Sequence, residues 1–319
     1  MTARVVLLVT SPRLPAGLLT AAAWDLVREN PVFAGAESEQ VAAVRAAGTE
    51  VVIGGVEELL AAARERGTSV WLAGPAGDQE LARNLGMRIA REPGLAELEL
   101  MYGSWDPPGA RLLDAVSAMD RLLSPGGDPW KRQQTHTTLA QFMLEEAYEA
   151  YDAIEAGDLA ALREELGDVL LQVVLHARLA EELPDGERWT VDDVAGDLVD
   201  KLVRRNPHVF SGITVSSIEE ITENWERIKR VEKSRGSAMD GIVMAQPALA
   251  LAAKILQRVE RAGLDVPVPA QPSTTDSEPE LGAVLLAIVA SARSRGLDPE
   301  AALRRVALAY ADAVRAAEA

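Results

Sequence analysis

Apolar residues recur at helical spacing through most of this chain. Leu144, Ala147, Tyr148, Tyr151 and Ile154 form one face of a predicted helix, and Glu145, Glu146, Glu149 and Asp152 project from the other. Gly157-Asp158 breaks the pattern: Gly157 suits a left-handed helix end, and Asp158 can cap a second helix. That second helix is apolar almost all round from Leu166 to Leu175, the pattern of a helix buried on most sides. Its polar row is Glu165, Asp168, Gln172 and His176. Upstream, Leu112 to Leu123 is amphipathic, and Thr135 to Met143 leads into the acidic helix. Downstream, Thr190 caps a helix that Pro207 ends, and Ser216 with Glu219 makes a capping box for another. Helical stretches continue at 247–263, 281–292 and 299–317, the first two separated by a Pro/Ser/Thr-rich linker from Pro267 to Pro279.

The first hundred residues alternate differently. Arg4 to Thr10, Glu50 to Ile53 and Ser69 to Leu72 read as short strands between helical segments such as 18–29, which predicts a small α/β layer. The expected fold class is therefore mainly α. It divides into a small α/β domain at 1–109, an all-α helical bundle at 110–238 and a helical region at 239–319.

Composition narrows the partners. The net charge of −17 argues against a nucleic-acid polymer but leaves room for a small nucleotide carried with a metal. There are no cysteines, so thiol chemistry and disulfides are excluded. No leader-like or membrane-spanning run is evident, and a cytoplasmic protein is expected.

The candidate chemistry lies in the acidic helices. A carboxylate in a mostly apolar helix is costly to bury without a partner. With Glu146 and Glu149 close by, the simplest partner for Glu165 and Asp168 is a cation, with Glu145 as a further ligand or a base. An all-oxygen, carboxylate-rich set suits Mg²⁺, with Mn²⁺ as a substitute. The bland alternative is a solvated acidic face beside one ion-paired helix. Lys201, Arg204 and Arg205 suit a triphosphate, or merely balance a helix end; Lys229, Arg230 and Lys233 either close over phosphates or are merely solvated. Trp130 either stacks on a base or plugs the bundle. Gly74-Pro75-Ala76-Gly77 reads as a turn.

Glu145-Glu146-x-x-Glu149 followed by Glu165-Leu166-Gly167-Asp168 resembles the MazG family of nucleoside triphosphate pyrophosphohydrolases. Pro129-Trp130, Gln134-Thr135, the segment from Asp200 to Phe210 and Trp225-Glu226-Arg227-Ile228-Lys229 extend the likeness over roughly Leu112 to Lys233. Lys131 departs from it, since the family usually has Asp after the Trp. The resemblance implies Mg²⁺-dependent hydrolysis of canonical or damaged nucleoside triphosphates to monophosphate and pyrophosphate. It implies Glu146, Glu149, Glu165 and Asp168 as metal ligands and Glu145 and Glu146 as catalytic groups. Lys201, Arg204, Arg205 and Lys229 would hold phosphates, with Trp130, Gln134 and Trp225 at the base. It also implies a homodimer or higher homo-oligomer. Val9-Thr10, Leu18-Leu19-Thr20 and Gly103-Ser104-Trp105-Asp106-Pro107-Pro108-Gly109 resemble a shortened tetrapyrrole methylase domain over residues 1–109; Ser11-Pro12-Arg13 replaces its donor turn, so methyl transfer is not expected. Glu280-Leu281-Gly282-Ala283 echoes Glu165-Leu166-Gly167-Asp168, so residues 239–319 resemble a degenerate second copy. Two other readings are a non-catalytic helical interaction module and a di-metal carboxylate oxidoreductase. The second wants Glu three residues before His, and none of the three histidines has it.

Overall fold

A computed structural model describes residues 3–75, 77–233, 236–269, 272 and 275–318. It forms two compact units, residues 1–197 and 198–319.

The first unit opens with a five-stranded, wholly parallel sheet in the order β3-β2-β4-β1-β5. Its elements are β1 (Arg4–Val9), α1 (Ala21–Glu29), β2 (Val32–Ala34), α2 (Glu39–Ala46), β3 (Val51–Ile53), α3 (Val56–Arg66), β4 (Thr68–Leu72), α4 (Gln79–Arg91) and β5 (Glu97–Tyr102). Alternation along the strands builds a core on each face. Val5, Phe33 and Trp71 join Leu59, Leu60 and Leu85 on one side. Leu8, Val32, Val70 and Leu72 join Val27, Val41 and Val44 on the other. β1, β3 and β4 lie where the pattern places them, within a residue or two; β2 and β5 are additions to it.

The loop after β1 is bound to the start of the helical region. The Arg13 guanidinium forks onto Asp114, Nε to Oδ1 at 2.8 Å and Nη2 to Oδ2 at 2.7 Å, and also pairs with Asp106. Asp114 lies in the first turn of α5 (Arg111–Leu123). A 3-10 turn (Lys131–Gln133) then precedes α6 (His136–Ala156) and α7 (Leu159–Ala180). These two long helices form an antiparallel hairpin. Gly157 adopts the predicted left-handed conformation, with φ 69°, and Asp158 accepts hydrogen bonds from the amides of Ala160 and Ala161 at 3.0 Å. α5, α6 and α7 share a core of Met119, Leu123, Leu139, Val174 and Leu175, separate from the two sheet cores.

Burial of α7 differs from the expectation. Its second half is buried, but Leu166 is 53 % exposed and Asp168 only half-buried. In the first unit α7 packs on α6 and α5, which leaves the outer side of its first half uncovered.

The unit division falls within α8 (Val191–Arg205), which Thr190 caps through Asp193. The second unit continues with α9 (Pro207–Phe210), α10 (Ile218–Lys233), α11 (Ala248–Arg261), α12 (Glu278–Ser294) and α13 (Pro299–Glu318); the last three pack on one another. The cap of α10 lies one residue later than expected. Ser217 Oγ accepts from the Glu220 amide at 3.1 Å, while Glu220 reaches back to Ser216 at 2.8 Å. The linker at 267–279 lies partly outside the described residues, and α12 begins before its last proline. No described helix is long and apolar enough to cross a membrane.

Candidate active site

The helical hairpin sets the site geometry. Glu146 stands eleven residues before Gly157, and Asp168 eleven after it. At a rise of about 1.5 Å per residue, both lie at the same height above the turn on adjacent antiparallel helices. Glu165 is three residues before Asp168 and shares its face. Carboxylate oxygens of Glu146, Glu165 and Asp168 accordingly lie within 4.8 Å of one another, each side chain half-buried.

The electrostatics are those of anions pressed together. Glu146 is held above the ordinary carboxylate range, first by burial, then by Asp168 and Glu149, and least by Glu145; a hydrogen bond from Gln172 opposes the shift. Glu165 is likewise raised by burial, then by Glu149, Asp168 and Glu164. Glu149 is exposed and lies outside the tight triplet, yet it hydrogen-bonds Glu165. Two carboxyl groups in such a bond must share a proton, and a cation would do the same work without one. Glu145 is exposed on the α6 surface. Among the described residues this is the one group of three or more acidic or histidine side chains able to hold a metal. Three oxygen donors half-open to solvent suit a hard divalent ion that keeps some of its waters.

Behind the carboxylates, the polar row of α7 continues inward. Gln172 is buried, its Oε1 unpartnered. His176 Nδ1 lies 2.7 Å from His136 Nδ1, with the rings stacked at 5.0 Å, and Trp189 stacks on His136 at 6.1 Å. Burial and His136 lower the His176 pKa. The sequence pattern places Gln172 and His176 on the row without a role; the histidine pairing is invisible from spacing alone.

Trp130 is half exposed, edge-on to Phe142 at 5.8 Å, with Lys131 Nζ 5.6 Å from its ring centre. Lys131 also pairs with Asp128 at 3.3 Å, so the departure from the family pattern closes a local ion pair. Gln134 donates to the Trp130 carbonyl at 3.0 Å and accepts from Thr138 at 2.8 Å, holding the turn into α6.

The basic candidates belong to the second unit. Arg204 and Arg205 both bind Glu232, at 2.6 Å, and Arg205 lies over the Trp225 ring at 5.4 Å. These two guanidinium groups, Arg205 foremost, pull the Glu232 carboxyl down to about 2. Lys201 is half-buried on α8. Lys229 lies 3.7 Å from Glu226 and lines a cavity of about 650 Å³ together with Arg258 and Arg261 of α11. The side chains of Arg230 and Lys233, and Ala76 of the Gly-Pro turn, lie outside the described residues.

The hairpin and its acidic triplet define a helical protein with a carboxylate cluster that could hold a metal ion. Residues 134–210 match the MazG nucleotide pyrophosphohydrolase domain. An uncharacterized 26.1 kDa protein of Streptomyces cacaoi is 48% identical over 239 residues, 75% of this chain and 94% of that one. A nucleoside triphosphate pyrophosphohydrolase of Mycolicibacterium smegmatis is 46% identical over 196 residues, and this chain spans 59% of its length. One of Escherichia coli K12 is 37% identical over 214 residues, 60% of this chain and 80% of that protein. The chain belongs to the MazG nucleotide pyrophosphohydrolase family.

Proposed function

We propose that this protein hydrolyses nucleoside triphosphates between the α and β phosphates, releasing monophosphate and pyrophosphate. The observation that carries the reading is the triplet of Glu146, Glu165 and Asp168, gathered within 4.8 Å by the α6–α7 hairpin. Names of the M. smegmatis and E. coli relatives support the same reaction. Glu146, Glu165 and Asp168 would hold Mg²⁺, with Mn²⁺ as a substitute, and Glu149 is the fourth expected ligand. Such an ion, when bound, would neutralise charge on the phosphate oxygens. Glu145, at the solvent edge, or Glu146 orients the attacking water and takes its proton. Lys201, Arg204, Arg205 and Lys229 hold the phosphates; Trp130, Gln134 and Trp225 contact the base. Clearing of surplus or damaged nucleotides is the matching cellular role.

The catalytic part is assigned to residues 110–238, with 1–109 an accessory α/β layer and 239–319 a degenerate copy. A homodimer is inferred from the exposed apolar residues Leu144, Ile154, Leu159 and Leu166 on the carboxylate helices, which a second copy would cover. The experiment is product analysis over a panel of normal and modified triphosphates with Mg²⁺, Mn²⁺ or chelator. Metal-dependent monophosphate and pyrophosphate are expected; hydrolysis unaffected by chelator would overturn the reading.

A further inference from the structure

We propose that Gln172 is a positioning residue for the carboxylate site, holding Glu146 in the pose that receives a cation. Gln172 comes one turn after Asp168 on the polar row of α7 and is only 3 % exposed. Its side chain hydrogen-bonds Glu146, on the neighbouring helix. Because an ionised carboxylate only accepts, the Gln172 NH₂ must be the group turned toward Glu146. That orientation leaves Oε1 as a buried acceptor, and Oε1 has no partner. A buried polar atom left unmatched in an otherwise apolar stretch calls for a physical reason. Leucine or methionine would fill the same space without the orphan oxygen. What they would lack is the link from α7 to the one α6 carboxylate in the triplet.

The consequence is preorganisation. Glu146 repels Asp168 and Glu149 and would swing away from them if left untethered. The Gln172 amide keeps it facing Glu165 and Asp168 before any ion arrives, so less ordering remains to be done on binding.

This inference rests on the cation reading, and its test separates the two. Mn²⁺ binding is measured by electron paramagnetic resonance on the full chain without nucleotide. Wild type is compared with Gln172→Leu, Gln172→Met and the core control Leu139→Ala. Both Gln172 variants should weaken Mn²⁺ binding by about tenfold or more, the usual range for a partner of a metal ligand. Their melting temperatures in chelator should hold or rise, since the orphan oxygen is gone. Leu139→Ala should lower the melting temperature and leave Mn²⁺ affinity unchanged. If Leu cannot be accommodated, the flexible Met variant decides alone. Mn²⁺ affinity within about threefold of wild type in Gln172→Met, or an equal loss in Leu139→Ala, would overturn the positioning role alone. Wild type that binds no Mn²⁺ would overturn the cation reading and this inference with it.

Discussion

Asp168→Asn should make the metal-free protein more stable while destroying its chemistry. The substitution preserves volume and removes one charge from a triplet whose oxygens lie within 4.8 Å. At that separation two unit charges repel by about 3.5 kcal/mol in a medium of dielectric 20 and about 0.9 kcal/mol in water. Asp168 and Glu146 are half-open to solvent, so the relief is nearer the lower figure, about 1 kcal/mol. In a unit of this size that is a rise of about 2–4 °C in melting temperature. The pH dependence has a definite sign. Glu146 and Glu165 titrate above the ordinary 4.5 in the folded protein. Below that value both folded and unfolded forms are protonated and no penalty exists; the penalty grows as pH rises above it. The gain from Asp168→Asn should therefore appear at neutral pH and fade toward pH 4. With Mg²⁺ the order reverses, because wild type gains stability from the ion and the variant does not. Thermal melts in chelator and in Mg²⁺, run beside turnover assays, read all of this. A variant less stable in chelator would show that the triplet is not mutually repulsive, and one keeping turnover within about tenfold of wild type (about 1.4 kcal/mol of barrier) would remove Asp168 from the chemistry.

Glu280→Gln should leave turnover unchanged while Glu165→Gln abolishes it, since Glu280 closes a capping box on the Ser277 amide at 3.0 Å and belongs to no carboxylate triplet among the described residues; equal losses would show a live second site. A chain starting near Ala110 should fold and keep metal-dependent hydrolysis, because α5–α7 have their own core, although Asp114 loses Arg13; loss of activity in a folded truncation would place the α/β layer in the chemistry. Glu232, depressed to about 2, contributes stability that is full above its ordinary 4.5 and lost as pH falls toward 2. Glu232→Gln should flatten that acid loss, followed through the Trp225 indole signal; an unchanged acid profile would remove the ion pair from the account.

How much of this was legible in the sequence depends on the range of the forces involved. The α6–α7 hairpin was legible because Gly157 and Asp158 act locally, through a left-handed residue and a side-chain cap. Equal spacing from the turn brings Glu146 opposite Asp168, so three of the four expected carboxylates lie together, while Glu149 lies outside that triplet. β2 was missed because its three residues sit between Pro31 and Gly35, which read as turn signals, and β5 because it is an edge strand whose Leu98, Leu100 and Tyr102 remain exposed. The burial of α7 was overestimated because composition reports what a helix can bury, not which neighbours its own unit supplies. Arg13 with Asp114, a hundred residues apart, and the His136–His176 pair are products of tertiary packing that no spacing rule reveals.

On the proposed reading, water cleaves the bond between the α and β phosphates at the Glu146–Glu165–Asp168 centre. Hydrolysis in ¹⁸O-enriched water with Mg²⁺, with products separated and weighed by mass spectrometry, tests it most directly. One heavy oxygen in the monophosphate or the pyrophosphate, none in orthophosphate, and no label incorporated by the Glu165→Gln protein is the predicted result. Heavy orthophosphate released beside nucleoside diphosphate as the primary product would contradict it.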